Sequence, residues 1–588
     1  MVHYNRQSKD NSRVPFLVTQ TPHGPTPTPR QLRQHTREFY GFIHFTVNTF
    51  TDKEWGFGDE SPALFNPTDF DADEITQVAA RAGMAGLILT CKHHDGFCLW
   101  PTQTTAHSVA ASPFRGGQGD VVREMSDACR QAGIEFGVYL SPWDRNSALY
   151  GTPEYVTQVY RPQLRELLTD YGPLFEVWFD GANGGDGYYG GARETRRIDP
   201  AAYYGWPETW EIVRELQPDA VMFSDVGPDV RWVGNEDGIA GDPCWATLTP
   251  GSMTPGVADQ KRLNRGDRDG DTWLIPECDV SLRPGWFWHE NETHQVRSAR
   301  NLSDLYFQSV GRGATLLLNL TPDRRGRIPE EDKASLKAFR AHLDATFGHY
   351  LAGDAALEPA PTDGLHTARE IMLTLPVLQT VNAVRLRERL ELGQRIDAWE
   401  LDAEQDDGWQ TVVRAEAVGA QRLVRFPDVM ADRFRLRITK TSAEPPVLSE
   451  IALFFEPVLN DEQAEGTEKE TTREALSVTQ PDPTTLVFDL GASPPALTGL
   501  TYTPDVERGQ VADGYAISVS DGGQTWREIA RGEFANVRSN PIPQRVSLAV
   551  PTGERFLRFQ ATRFAAGNRV EMGQVSLLED VPSGIMGA

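Results

Sequence analysis

Cysteine is scarce in this chain and never paired. Cys91, Cys98, Cys129, Cys244 and Cys278 are scattered through 588 residues without a CxxC spacing. That excludes a disulfide framework or a thiolate zinc site and predicts buried free thiols. Basic residues are also short, and the formal net charge is −26. Such a surface repels phosphates, so nucleic acid is excluded as a partner. No run of about 18 apolar residues occurs, so no membrane-spanning helix is expected. The opening MVHYNRQSKDNSRVPFLVTQ lacks the apolar core of a secretory signal, which leaves a cytoplasmic protein or a processed exported form. No glycine-rich phosphate loop follows the first apolar strand, which argues against a nucleotide-binding fold. Nothing in the pattern specifies an oligomeric state.

What is present is an ordinary globular composition, 39% hydrophobic and 24% charged, in a chain too long for one core. Residues 1–35 read as a Pro/Thr-rich tail and linker, with TPHGPTPTPRQ expected to form neither helix nor strand. Over residues 36–350, short apolar runs alternate with amphipathic segments. The runs are Phe39–Phe45, Gly86–Thr90, Glu135–Leu140, Leu174–Phe179, Ala220–Ser224, Val230–Glu236, Thr272–Glu277 and Ala314–Leu320. Helices are expected from Asp71 to Ala82, from an Asp120 N-cap to Gly133, from Thr152-Pro153 to Gly172, and over 206–216, 298–310 and 330–346. Residues 184–199 and 246–270 read as loops. Eight strands with intervening helices predict a (β/α)₈ barrel, with an open doubly wound sheet as the alternative.

After residue 355 the helical period disappears and short alternating runs take over. The pattern around Ala398–Val413 and Arg433–Arg437 recurs about 120 residues later, around Tyr515–Ile529 and Arg555–Phe559. Two antiparallel β-sandwich domains are expected, over 355–457 and 475–582, separated by the acidic NDEQAEGTEKETTRE at 460–474. Trp399, Trp409 and Trp526 lie in alternating patterns and are expected in the core.

Strand ends of a barrel face one pocket, and His44, His93, His94, Tyr139, Asp180, Glu236 and Glu277 all fall at such ends. Asp180 closes the most apolar run and is followed by Gly181-Ala182-Asn183-Gly184-Gly185. Position alone leaves it either a catalytic acid or the cap of a turn. His93 and His94 are open to metal, structural or hydroxyl-binding roles. Acidic partners are not spaced for a metal, so hydroxyl binding is favoured. Carboxylates among histidines and tryptophans suit a neutral polyol. Two acids in unlike environments divide into nucleophile and general acid, which is glycosidase chemistry.

Gly41-Phe42-Ile43-His44-Phe45, Lys92-His93-His94-Asp95-Gly96-Phe97, Val177-Trp178-Phe179-Asp180-Gly181 and Pro276-Glu277-Cys278 resemble the α-L-fucosidases of glycoside hydrolase family 29 over residues 35–350. Gly227–Glu236 resembles the branch selective for α-1,3- and α-1,4-linked fucose on Lewis-type glycans. The resemblance implies a retaining exo-enzyme acting on fucosylated oligosaccharides or glycoconjugates, without a metal or organic cofactor. It implies Asp180 as nucleophile and Glu236 as acid/base, with Glu277 as the alternative. His44, Glu54, Trp55, His93, His94, Tyr139, Trp178, Arg231 and Glu277 are implied to surround the sugar. A catalytically silent glycan-binding protein and a barrel glycosidase for another sugar such as galactose are the competing functions. The C-terminal repeats resemble discoidin-like or carbohydrate-binding sandwiches in pattern only, the first as a brace on the barrel.

Overall fold

The computed structural model describes residues 21–351, 357–359, 364–459, 471–473, 475–492, 494, 496–505, 511–534, 537, 543–564 and 574–579. Most of the acidic separator expected at 460–474 lies outside the described residues.

Eight parallel strands close into a barrel: β1 (Phe39–Ile43), β2 (Gly86–Lys92), β3 (Glu135–Leu140), β4 (Glu176–Trp178), β5 (Val221–Ser224), β6 (Val230–Trp232), β7 (Ile275–Ser281) and β8 (Thr315–Leu320). Each pairs with its sequence neighbours, and β8 closes on β1 with Phe39 opposite Leu316 and Ile43 opposite Leu320. Side chains alternate across each strand. Tyr40, Phe42, Ile88, Tyr139, Trp178, Val221, Phe223, Ile275 and Leu317 fill the interior. Phe39, Leu87, Leu89, Val138, Val177, Met222, Cys278 and Leu318 face the surrounding helices. All five cysteines are free and buried.

The helices stand where the capping residues predict. Asp71 Oδ1 accepts from Glu74 N at 2.9 Å, and Asp120 Oδ1 from Arg123 N at 2.9 Å. Gly83 (φ +90°) and Gly133 (φ +73°) then end those helices in the left-handed conformation. No helix among the described residues is long and apolar enough to cross a membrane.

One correction concerns the start of the chain. Pro29–Arg37, expected as part of a linker ahead of the first strand, is a helix, α1. Proline is tolerated at the first helical position, where its missing N–H would be unpaired anyway. Thr28 and Gln31 complete a capping box around it. This helix plugs the amino end of the barrel: Gln31 Nε2 donates to Asp229 O and Trp273 O, and Gln34 Nε2 to Tyr40 Oη and Glu176 Oε2. Two smaller corrections concern expected loops. Within 184–199, Gly185–Gly187 and Glu194–Arg196 pair as a short antiparallel ribbon. Within 246–270, Thr247–Leu248 pairs with Thr272–Trp273, and Gln260–Arg265 is a short helix capped by Asp259.

Beyond the barrel lie antiparallel sheets. The first contains two long strands, Glu370–Glu388 and Arg422–Thr441, bent by register shifts and paired with Ile396–Gln405 and Leu448–Phe454. It braces the barrel: Arg425 pairs with Asp304 at 2.5 Å and lies 3.8 Å from the Phe307 ring centroid, and Leu423 N donates to Gly311 O. The remainder forms a four-stranded and a five-stranded sheet over a shared core. The repeat has a structural counterpart, since Leu401 pairs with Leu436 as Ser518 pairs with Arg558. Of the three tryptophans expected in these cores, only Trp399 is fully buried. Trp409 and Trp526 are half-buried, each under an arginine: Arg435 lies 4.8 Å from the first ring centroid and Arg558 4.6 Å from the second.

Candidate active site

The alternation that fills the barrel delivers the site. Continuing the inward positions past the carboxyl ends of the strands adds His44 above Phe42 on β1 and Asp180 above Trp178 on β4. Ring contacts confirm the convergence: His44 meets Phe42 at 4.7 Å, His93 at 5.6 Å and Tyr139 at 6.1 Å. His93 and His94 lie side by side at 4.1 Å, just beyond β2.

Asp180 stands at the centre, with both carboxylate oxygens oriented. Tyr139 Oη donates to Oδ2 at 2.9 Å and Ala182 N to Oδ1 at 2.7 Å. His94 Nε2 is 3.8 Å from Oδ2. Gly181 follows because no side chain fits: a Cβ there would lie 2.4 Å from Asp225.

Glu236 reaches the same pocket from the loop after β6. Gly234 makes the turn possible, at φ +76° and with its Cα pressed on Gln260, where a Cβ would meet backbone at 2.3 Å. The carboxyl accepts from Trp286 Nε1 at 2.9 Å. Burial pushes its pKa up to about 8. The indole bond opposes that rise, and the charges of Asp180, Glu54 and Asp237 add to it. Glu236 therefore holds its proton into the neutral range, within electrostatic reach of Asp180.

The histidines are held neutral. Burial lowers His44 to about 3, with Nδ1 2.8 Å from Asn319 Oδ1. Burial lowers His94 to about 4, with Nδ1 2.7 Å from Ser141 Oγ. His93 is shifted down for the same reason. Neutral imidazoles exchange hydrogen bonds with hydroxyls without demanding an anion. Trp55 forms the rim, 45% exposed and edge-on to both His94 (5.1 Å) and Trp143 (5.7 Å). Among the described residues no cluster of three or more His, Cys, Asp or Glu side chains is arranged to hold a metal ion.

Three residues named from the sequence take other places. Glu277 is completely buried: the strand expected to end there continues to Ser281, which leaves Glu277 inside the barrel beneath the pocket. Tyr40 Oη and Trp178 Nε1 occupy its two oxygens, and burial raises it to about 7. Trp178 accordingly forms the floor, stacked between Tyr139 and Phe223. Arg231 points out of the barrel and is also completely buried. Its guanidinium donates to the carbonyls of Leu263, Leu274 and Trp245, so it pins the 245–274 segment and does not line the pocket. Glu54 lies beside the pocket with both oxygens already engaged. It accepts from Trp286 N, Phe287 N and His289 Nε2 at 2.8, 3.1 and 2.7 Å.

Sequence reasoning missed Trp286, Asn319, Trp143, Asp225 and Asp279. The polar inward positions of β7, Glu277, Asp279 and Ser281, break its apolar run, so the strand read as ending early and Pro284–His289 was not recognised as a strand-end loop. The parity of β8 would have found Asn319. Asp225 follows β5; burial raises it to about 6, while Gly256 N donates to its Oδ2 at 2.8 Å.

The chain is similar to known proteins. Residues 28–346 match the family described as Alpha-L-fucosidase. The chain is 36% identical to Alpha-L-fucosidase 1 of Arabidopsis thaliana over 482 residues, 77% of this chain and 91% of that one. Among solved structures, a glycoside hydrolase 29 family member from an unknown rumen bacterium is 39% identical with TM-score 0.72, covering 95% of this chain and 99% of its own. A Ruminococcus gnavus GH29 fucosidase solved in complex with fucose is 29% identical with TM-score 0.67, over 76% of this chain and 97% of its own.

Proposed function

This chain belongs to the alpha-L-fucosidases of glycoside hydrolase family 29, and on that premise we propose a retaining exo-mechanism with Asp180 as nucleophile and Glu236 as acid/base, directed at α-1,3- and α-1,4-linked fucose on branched glycans. The observation that carries the mechanism is the unlike state of two carboxyls in one pocket. Asp180 is oriented by donors on both oxygens, and Glu236 is kept protonated by burial.

In the first step a carboxylate oxygen of Asp180 forms a bond to the anomeric carbon as the glycosidic C–O bond breaks. The proton of Glu236 passes to the departing oxygen. In the second step Glu236, now a carboxylate, takes a proton from water. The water oxygen attacks the anomeric carbon and the ester to Asp180 breaks, which restores both groups. The neutral His44, His93 and His94, with Trp55 on the rim, then serve the fucose hydroxyls and its apolar face. Glu277 fits the acid/base role less well, because Trp178 and Tyr40 occupy its oxygens below the floor.

The linkage reading is supported by Gly227–Glu236 and by the walls outside the fucose pocket. Arg145 joins the Trp55 turn to the 185–187 ribbon through Trp55 O, Gly56 O and Asp186 O. Gly256 packs against Asn183 and Gly181 O, bringing the 246–270 loop to the same rim. A neighbouring sugar held there would contribute binding energy in the transition state. The test is kcat/KM on Lewis a and Lewis x trisaccharides, on the corresponding disaccharide lacking galactose, and on 2′-fucosyllactose. The trisaccharides are expected to be cleaved at least about tenfold faster than either comparison. Equal rates would overturn the branched-substrate reading alone, and no fucose release from any would favour a silent glycan-binding protein.

A further inference from the structure

Glu54 holds the loop that carries Trp286: its Oε1 meets Phe287 N and His289 Nε2, and its Oε2 accepts Trp286 N. That loop, Pro284–His289, is gripped at every residue from Gly285 to Phe287. Glu54 accepts the amides of Trp286 and Phe287. Glu292 Oε2 accepts Gly285 N at 3.1 Å, Ser281 Oγ donates to Gly285 O at 2.7 Å, and Asn319 Nδ2 donates to Trp286 O at 2.8 Å. His289 closes the clamp, with Nε2 2.7 Å from Glu54 and Nδ1 2.9 Å from Asp52. Both ring nitrogens meet carboxylates, so both must donate and the ring is an imidazolium. Burial alone would lower His289, but Glu292, Asp52 and Glu54 outweigh it and hold it well above its ordinary value.

The product of this clamp is one fixed indole N–H. Trp286 packs its ring 5.1 Å from His44 and 6.2 Å from Phe42 and directs Nε1 to Glu236 Oε2. We propose that Trp286 is the positioning residue of the acid/base carboxyl, and that Glu54, braced by His289 and Asp52, holds the loop that presents that indole. The proposal rests on the reading of Glu236 as acid/base.

Charged groups face Glu236 from several elements. Asp180, Glu54 and Asp237 bear on Glu236, as does Asp279 from β7. Tyr515, on the strand Ala512–Ser520 of the last sheets, faces the outer end of the clamp near Asp52 and Glu292. A hydrogen bond from the indole favours the carboxylate form of Glu236, so removing it makes the proton harder to lose. The alkaline limb of kcat/KM must then move to higher pH.

The experiment compares the full-length chain with Trp286→Phe, Glu236→Ala and the double variant, using aryl fucosides of graded leaving-group ability. Trp286→Phe keeps an aromatic ring on the loop and removes the N–H together with the pyrrole ring. The pH limb and the double-variant comparison, which lost packing alone would not move, therefore carry the test. The variant is expected to shift the alkaline limb upward by about half a pH unit or more, and to cost about tenfold on poor leaving groups but less than about twofold once Glu236 is alanine. An unmoved limb, or the same cost in both backgrounds, overturns the proposal. A Glu236→Ala variant without leaving-group dependence removes the acid/base reading itself, a distinguishable failure.

Glu54→Gln supplies the independent arm. Loss of the clamp predicts that kcat on poor leaving groups falls about tenfold and that the alkaline limb moves as it does in Trp286→Phe. Retained kcat with an unmoved limb would overturn the role of Glu54 in presenting the indole. Should Glu54→Gln fail to fold, the Trp286 arms decide.

Discussion

Tyr139 donates its hydroxyl to Oδ2 of Asp180 at 2.9 Å, from the adjacent strand and level with the Trp178 floor on which it stacks. The bond matters because the other oxygen is held by Ala182 N, so the carboxylate plane is set by two donors from different elements. A preorganised nucleophile loses no free energy to reorientation at the moment of attack.

Asp180→Asn is expected to lower kcat by about a thousandfold or more while the melting temperature stays within a few degrees, since the side chain contributes chemistry more than packing. Azide added to Asp180→Ala should restore turnover as a glycosyl azide, detectable by mass. Full activity in Asp180→Asn, with deamidation excluded, would end the nucleophile assignment.

The first step needs Glu236 protonated, so kcat/KM should fall as pH rises through about 8. Glu236→Gln should abolish that limb on activated aryl fucosides. Stability carries the same sign. The folded state keeps this proton above the pH where the unfolded chain releases it, so the stabilisation is complete below the ordinary glutamate range and is lost as pH rises through about 8. Glu236→Gln should therefore melt at higher temperature than the parent at pH 8.5, and the gain should vanish by pH 4. A gain independent of pH would contradict the assignment.

Gln34→Leu tests the plug. Its amide bonds both Tyr40 and Glu176 beneath the floor, and leucine would leave a buried carboxyl without that donor. A loss of about 1–3 kcal/mol in chemical denaturation is expected, with fucoside kinetics unchanged at 25 °C. No loss would mean that α1 does not seal the barrel.

Arg231→Met should separate two roles. The guanidinium holds three carbonyls of the 245–274 segment, so its loss leaves buried acceptors unpaired at a cost of about 2–5 kcal/mol. KM for branched oligosaccharides should rise while small aryl fucosides are cleaved as before. An equal effect on both substrates would place Arg231 in fucose binding after all.

The order and class of the elements were written in local pattern. Period-2 and period-3.6 apolar spacing, Asp71 and Asp120 as caps, and the repeat after residue 355 depend only on near neighbours, and the barrel and antiparallel sheets follow from them. Asp180, His44, His93 and His94 were legible as strand-end polar residues for the same reason. What local pattern could not supply was depth. Whether Glu277 meets solvent, whether Arg231 points in or out, and which loop Glu54 holds depend on where β7 ends and on what lies across the pocket. The proton on Glu236 was equally hidden, because a carboxyl's pKa is set by burial and by Asp180, Glu54 and Trp286, residues distant in sequence. Only the tertiary structure brings those groups together, since desolvation and charge act through space and not along the chain.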